Sequence, residues 1–206
     1  MKKSRAFLAI VWLAFIGYAV WFSPEGNGPY LKQLLSMDSP DPLLLAVFSL
    51  LGVFPMLYAS LLLRMDNGAV PAWPFVAGSF FLGAFALLPY YIIASDQPKR
   101  TLRTPSWLLT IITSSVFLGL LTLAVLALVG YGVTTESFVV YQEAFQTSQF
   151  VHIMTIDFFV LYLLSIYGAY FHVQQSGQRA ASPFLAIIPI LGLIGYLFLQ
   201  NRKNNE

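Results

Sequence analysis

Cysteine is absent from the chain. That excludes disulfides, thiolate zinc or iron-sulfur sites and a cysteine nucleophile within it, and it leaves the redox compartment unread. Charge is nearly as scarce, at 10% of residues, and there are only two histidines. No Walker-type phosphate loop, no Gly-x-Gly-x-x-Gly and no Gly-x-Ser-x-Gly occurs, so nothing indicates dinucleotide binding or ATP-driven transport by this chain alone. A net charge of +2 in short basic clusters suits anchoring at anionic headgroups. No nucleic-acid partner is expected.

Apolar side chains fill the remainder: 58% of the 206 residues are hydrophobic, and the mean hydropathy is +0.73. That balance defines an integral membrane protein. A hydrocarbon core about 30 Å thick needs roughly 20 apolar residues at 1.5 Å of rise each. Six runs meet or approach this length: 6–22, 43–63, 75–94, 107–131, 151–171 and 184–200. They are continuously apolar, without the alternation of barrel strands, so the expected fold is an all-α polytopic transmembrane bundle of about six spans. The longest connections, 23–42 and 132–150, are too short for a soluble domain, and residues 1–206 read as one membrane domain. The segment 133–149 lacks positive charge and mixes Glu136 and Glu143 with Phe138, Val139 and Phe145, the makings of a short interfacial helix before the fifth span.

Met1-Lys-Lys-Ser-Arg5 ahead of an apolar run resembles a secretory signal, but no Ala-x-Ala site follows. An uncleaved anchor with a cytoplasmic amino terminus is the expectation. With six spans the positive charges barely support it. Lys2, Lys3, Arg5, Arg64, Arg202 and Lys203 would lie inside, and Lys32, Lys99, Arg100, Arg103 and Arg179 outside.

Punctuation within the runs is uneven. Pro55, Pro89 and Pro189 should each kink a helix and free a carbonyl for a neighbour or a ligand. Ser79-Phe-Phe-Leu-Gly83 is a small-x-x-x-small pattern for close helix packing. Asp66-Asn-Gly68 followed by Pro71 and Pro74 is a turn, predicting a tight antiparallel hairpin of the second and third spans.

Eight of the nine acidic residues fall in connections or tails; Asp157 alone lies inside a run. A carboxylate within a span costs about 2.5 to 3.5 kcal/mol on insertion scales and should face the bundle interior with a partner. His152 is close in sequence, yet a five-residue step turns through about 500° and leaves the side chains about 140° apart. His152 shares a face with Thr155 and Ile156, and Asp157 shares one with Ile153, Met154 and Leu161. Each therefore needs partners from other helices. Tyr58, Tyr90, Tyr91 and Ser115 are candidate hydroxyls, and Arg64 or Arg103 are candidate cations. One reading makes His152 and Asp157 an acid and base around an apolar substrate, with Thr155, Tyr58, Tyr90 and Tyr91 binding it. The other makes His152 an interfacial residue and Asp157 a tie between helices. No metal is expected, since one His and one Asp on divergent faces are too few ligands.

The pattern His152-x-x-x-x-Asp157-x-Phe159, preceded by Thr147 and Ser148, resembles the penultimate helix of the small plastid and cyanobacterial membrane family required for neoxanthin formation. Val-Pro-Ala-Trp-Pro-Phe75 and Gly-Ala-Phe-Ala-Leu-Leu-Pro-Tyr-Tyr91 are similar to other membrane proteins of cyanobacteria and chloroplasts. The resemblance implies a photosynthetic membrane, a thylakoid or the cell inner membrane, and a link to carotenoids or another terpenoid, with His152 and Asp157 at the matching positions. It departs in span number, six here against about four. Three functions stay open: a hydrophobic-ligand-binding bundle with or without isomerase-type chemistry, an accessory subunit docked on pigment-protein complexes, and a proton-coupled transporter.

Overall fold

The computed structural model describes residues 2–26, 28–94, 101–133, 135–176 and 182–204, and among these there are helices and no strands. Four helical segments are long and apolar enough to cross a membrane: Ser4–Trp21, Pro42–Met65, Ser115–Gly132 and Gln149–Gln175. They are carried by α1 (Lys2–Trp21), α3 (Pro42–Leu62), α7 (Ser115–Gly132) and α9 (Gln149–Ser176). Short helices α2 (Tyr30–Ser36), α4 (Trp73–Leu82), α5 (Ala84–Ile93), α6 (Ser106–Ile112), α8 (Thr135–Thr147) and α10 (Leu191–Asn204) complete the bundle. Lys99, Arg100 and Arg179, which weighed on orientation, lie outside the described residues.

Two of the six apolar runs are not single helices in the structure, and a third is broken near one end. The run 75–94 folds back on itself at Gly83. Gly78 sits against Ala86, and the rings of Phe75 and Tyr90 are 5.7 Å apart, whereas fifteen residues of straight helix would separate them by about 22 Å. Each arm is ten residues, so the α4–α5 hairpin reaches about 15 Å. The run 184–200 is a 3-10 turn over Pro183–Ile187 followed by the fourteen-residue α10. Ile190 lies between them at φ 58°, so Pro189 sits in a reversal rather than a helix. The run 107–131 breaks at Thr113, and Ser114 caps α7 by accepting from the Phe117 N–H at 3.0 Å. Apolar content made these runs look continuous. Glycine, proline and serine decide where the chain turns.

Each helix direction follows from its contacts. α3 runs from Asp41, whose carboxylate caps it by accepting from Leu43 and Leu44 N–H, to Asp66. We call these the Asp41 end and the Asp66 end. α7 returns, its Gly132 against Ala46 and Leu43. α9 runs beside α3, with the Tyr58 hydroxyl donating to Leu161 O at 2.9 Å and with Phe171 and Gln175 bordering one crevice with Met65 and Asn67. α1 ends at the Asp41 end, where Gln149 donates from Nε2 to Ser23 Oγ and from its backbone to Gly26 O. Both α2 and α8 are at that end too, around Leu34, Leu44, Ala144, Val151 and Met154.

Small polar side chains tie the bundle by taking carbonyls of other elements. Ser60 donates to Ile112 O and Thr104 to Leu63 O. Pro89 has no N–H for the carbonyl four residues back, Phe85 O, and the Trp12 indole donates to that oxygen at 3.1 Å. The expected turn after α3 is closed by Asp66. Its Oδ1 accepts from Ala72 N–H and from Arg103 at 3.1 Å, and Arg103 also donates to Gly68 O.

Asp66 is 1% exposed, so removing its cation leaves a buried charge unpaired. Arg103→Met is expected to destabilise the detergent-solubilised protein by about 1 to 3 kcal/mol. Asp66→Asn combined with Arg103→Met should lose less than the sum of the single changes, measured by chemical unfolding.

Candidate functional site

Gly83 ends α4 and begins α5 at φ 52° and ψ −128°, a backbone conformation that costs glycine little and other residues more. Its N–H donates back to Ser79 O at 2.9 Å. The reversal leaves the first N–H groups of α5 with no helical acceptor. Asp157 supplies one: its Oδ1 accepts from Ala84 N–H at 2.8 Å. The carboxylate also occupies the space a side chain at 83 would need, since a Cβ there would come within 1.7 Å of Oδ2. So the buried aspartate of α9 caps the tip of the α4–α5 hairpin, where the helix dipole favours negative charge.

Beyond the tip is a cavity of about 590 Å³, within the range of small-molecule sites. One wall is α3 with Phe48, Ser49 and Gly52, and the facing wall is α9 with Phe150, Ile153, Met154 and Asp157. Ser79 and Phe85 belong to the hairpin side of the lining. The rim includes Met37, Phe80, Phe81 and Leu82, which are 66, 48, 91 and 60% exposed. The polar side chains of the lining are Ser49, Ser79, Gln149 and Asp157.

His152 belongs elsewhere. Its Nδ1 lies 2.9 Å from Phe145 O and its Nε2 lies 2.7 Å from the Tyr18 hydroxyl. A carbonyl can only accept, so Nδ1 carries the proton, and in the neutral ring Nε2 accepts from Tyr18. Phe145 stacks on the imidazole at 4.2 Å. His152 thus joins α1, α8 and α9 and is not among the residues lining the cavity. Thr155 donates to Val151 O, so the Tyr141 hydroxyl 2.5 Å away is the donor to Thr155. Burial raises the Tyr141 pKa, opposed by its hydrogen bond to Thr155; it stays a donor.

The three tyrosines are likewise placed apart from the cavity. Tyr58 is held by Leu161 O. Tyr90 and Tyr91 are on α5 in an aromatic cluster with Phe75, Tyr167 and Phe171. Arg64 donates to Ser60 O and Asn201 Oδ1, and Arg103 pairs with Asp66, so neither cation reaches Asp157. Its partner is a backbone amide, which no list of side chains contains. Of the sequence's candidates, Asp157 lines the cavity, together with Ile153 and Met154 of its helical face. Ser49 and Gly52 were missed, and Ser79 and Gly83 were read only as a packing pattern, although a glycine near the midpoint of a 20-residue run was a readable signal for a turn. Among the described residues no group of three or more His, Asp or Glu side chains could hold a metal ion.

No known family model, curated protein or solved structure matches the chain. The resemblance to the neoxanthin-associated family therefore has no counterpart in these comparisons.

Gly83→Ala must fit a methyl group into the Asp157 carboxylate at an unfavourable φ. A loss of roughly 2 kcal/mol or more is expected. Gly119→Ala, where a Cβ meets nothing within 4 Å, should be neutral or slightly stabilising, as read from thermal unfolding in detergent.

Proposed function

We propose that this integral membrane protein binds a hydrophobic ligand of the carotenoid, terpenoid or lipid class in the cavity between α3, α9 and the hairpin tip. The carrying observation is an apolar cavity of about 590 Å³ with one carboxylate in its wall and a rim of exposed Phe80, Phe81 and Leu82. Apolar lining with a few placed polar groups is what such ligands need. The reading is binding without an assigned reaction, because the neighbours of His152 are Tyr18 and Phe145 rather than the cavity. Docking on pigment-protein complexes and proton-coupled transport have no specific observation in their favour.

The topology that fits this reading has four spans, α1, α3, α7 and α9. α4 and α5 form a re-entrant hairpin from the Asp66 end, and α10 with its preceding turn dips in from the same end. Tyr162, about 21 Å along α9 from Ser176, donates to Ile187 O, which supports that dip. α2 and α8 then lie along the opposite membrane surface. Non-helical backbone at depth is tolerated where it is buried in protein or lines a cavity, as at Gly83. This arrangement changes the charge balance. Among cations with described side chains, Arg5, Arg64, Arg103 and Arg202 fall at the Asp66 end and Lys32 alone at the Asp41 end. The positive-inside rule then favours a cytoplasmic amino terminus.

Native mass spectrometry of the gently extracted chain should find a co-purifying apolar molecule in the wild type. Gly52→Phe, which fills the cavity at a position where a Cβ meets nothing, should lose it while remaining folded. A ligand-free wild type, with no apolar compound raising its thermal stability, would sink this proposal.

The cysteine-free background makes orientation directly testable. In intact cells an impermeant maleimide is expected to label Ser36→Cys and not Ala69→Cys. Phe81→Cys, at the hairpin tip, should stay unlabelled from either side until the membrane is dissolved. The reverse labelling of the first two would invert the orientation.

A further inference from the structure

We propose that the cavity selects a neutral long-chain alcohol, entering from the bilayer with its hydroxyl at Asp157 and Ser79. This rests on the ligand-binding reading above and names the chemistry of the headgroup.

The lining contains no lysine, arginine or histidine, and its one ionisable side chain is Asp157. A fatty acid carboxylate or a phosphodiester would bring a negative charge into an apolar space whose lining has no cation to pair it. The nearby backbone donor is already engaged, since Ala84 N–H is bonded to Asp157 Oδ1. The Ser79 hydroxyl spends its proton on Val76 O at 2.7 Å and so presents an oxygen acceptor. Asp157 on the α9 wall and Ser79 on the hairpin side, 7 and 3% exposed, thus both present oxygen atoms to the site. A hydroxyl group can donate to one of these oxygens and accept as well, and unlike an ammonium it brings no charge whose desolvation must be recovered in the apolar space. A plain hydrocarbon would displace water from both without replacing its hydrogen bonds, which costs affinity.

The route of entry follows from the rim. Phe80, Phe81 and Leu82 precede the tip and are turned outward, while Asp157 lies behind them. In the re-entrant topology that opening faces hydrocarbon, so a lipid-dissolved molecule reaches the carboxylate without crossing water. Gln149, eight residues before Asp157 on α9, also lines the cavity, which gives it an extent of about 12 Å along that helix. That extent suits a single chain lying along α9.

The test compares hexadecanol, hexadecanoate, hexadecylamine and hexadecane, matched in chain length, by competition in native mass spectrometry of the full chain. Hexadecanol should bind at least about tenfold more tightly than each of the others, about the worth of one hydrogen bond. The preference should weaken in Asp157→Asn, which keeps an acceptor for Ala84 N–H but replaces the oxygen facing the ligand with an N–H, and in Ser79→Ala. Equal binding of all four probes, tighter binding of the acid or the amine, or a preference untouched by both substitutions overturns the alcohol assignment and leaves the cavity as a general apolar site. No binding of any probe, or binding unaffected by Gly52→Phe, overturns the site reading itself along with it.

Discussion

The contact between Asp157 Oδ1 and the Ala84 amide, at 2.8 Å, is the interaction on which the arrangement turns. A helix that begins inside a bilayer leaves N–H groups without partners, and in hydrocarbon no water satisfies them. A carboxylate there is expensive for the mirror-image reason. Each removes the other's difficulty. Because Gly83 has no side chain, the carboxylate approaches the turn closely enough to do so. In the four-span topology proposed above, the hairpin then stops about halfway through a hydrocarbon core about 30 Å thick. What would have been the second half of a span is left open between α3 and α9, and that space is the cavity. The polar group, the broken helix and the apolar site are one feature seen from three sides.

Elsewhere in the bundle the same demand is met by side-chain donors. Ser60, Thr104, Tyr58 and Trp12 each donate to a carbonyl of another element, and the Trp12 bond goes to the oxygen that Pro89 cannot serve. These bonds are modest in energy, but a missing one in an apolar interior is costly. They fix helix depth and rotation, which apolar packing between helices in lipid specifies poorly.

His152 and Asp157 show how sequence proximity misleads. Their angular separation on α9 was legible from helical period alone, and it does send them to different neighbours: Tyr18 and Phe145 for one, Gly83 and Ala84 for the other. Thr155 follows His152 to α8, and Ile153 and Met154 accompany Asp157 to the cavity. The tyrosines chosen as partners were plausible by chemistry, yet a list of side chains could not contain the backbone amide that bonds Asp157.

The order of residues by itself determined that this is a helical membrane protein and that the carboxylate at 157 needed a partner from another helix, because run length, helical period and transfer free energy all act locally along the chain. It could not determine how many apolar runs cross. A ten-residue arm that turns back and a twenty-residue helix that continues have the same hydropathy. The choice rests on Gly83 at φ 52° meeting Asp157 from 74 positions away in the chain, and a contact of that range exists only once the helices are assembled. The tertiary structure therefore decided the hairpin, and with it the cavity and the end of the bundle to which Arg5, Arg64, Arg103 and Arg202 belong.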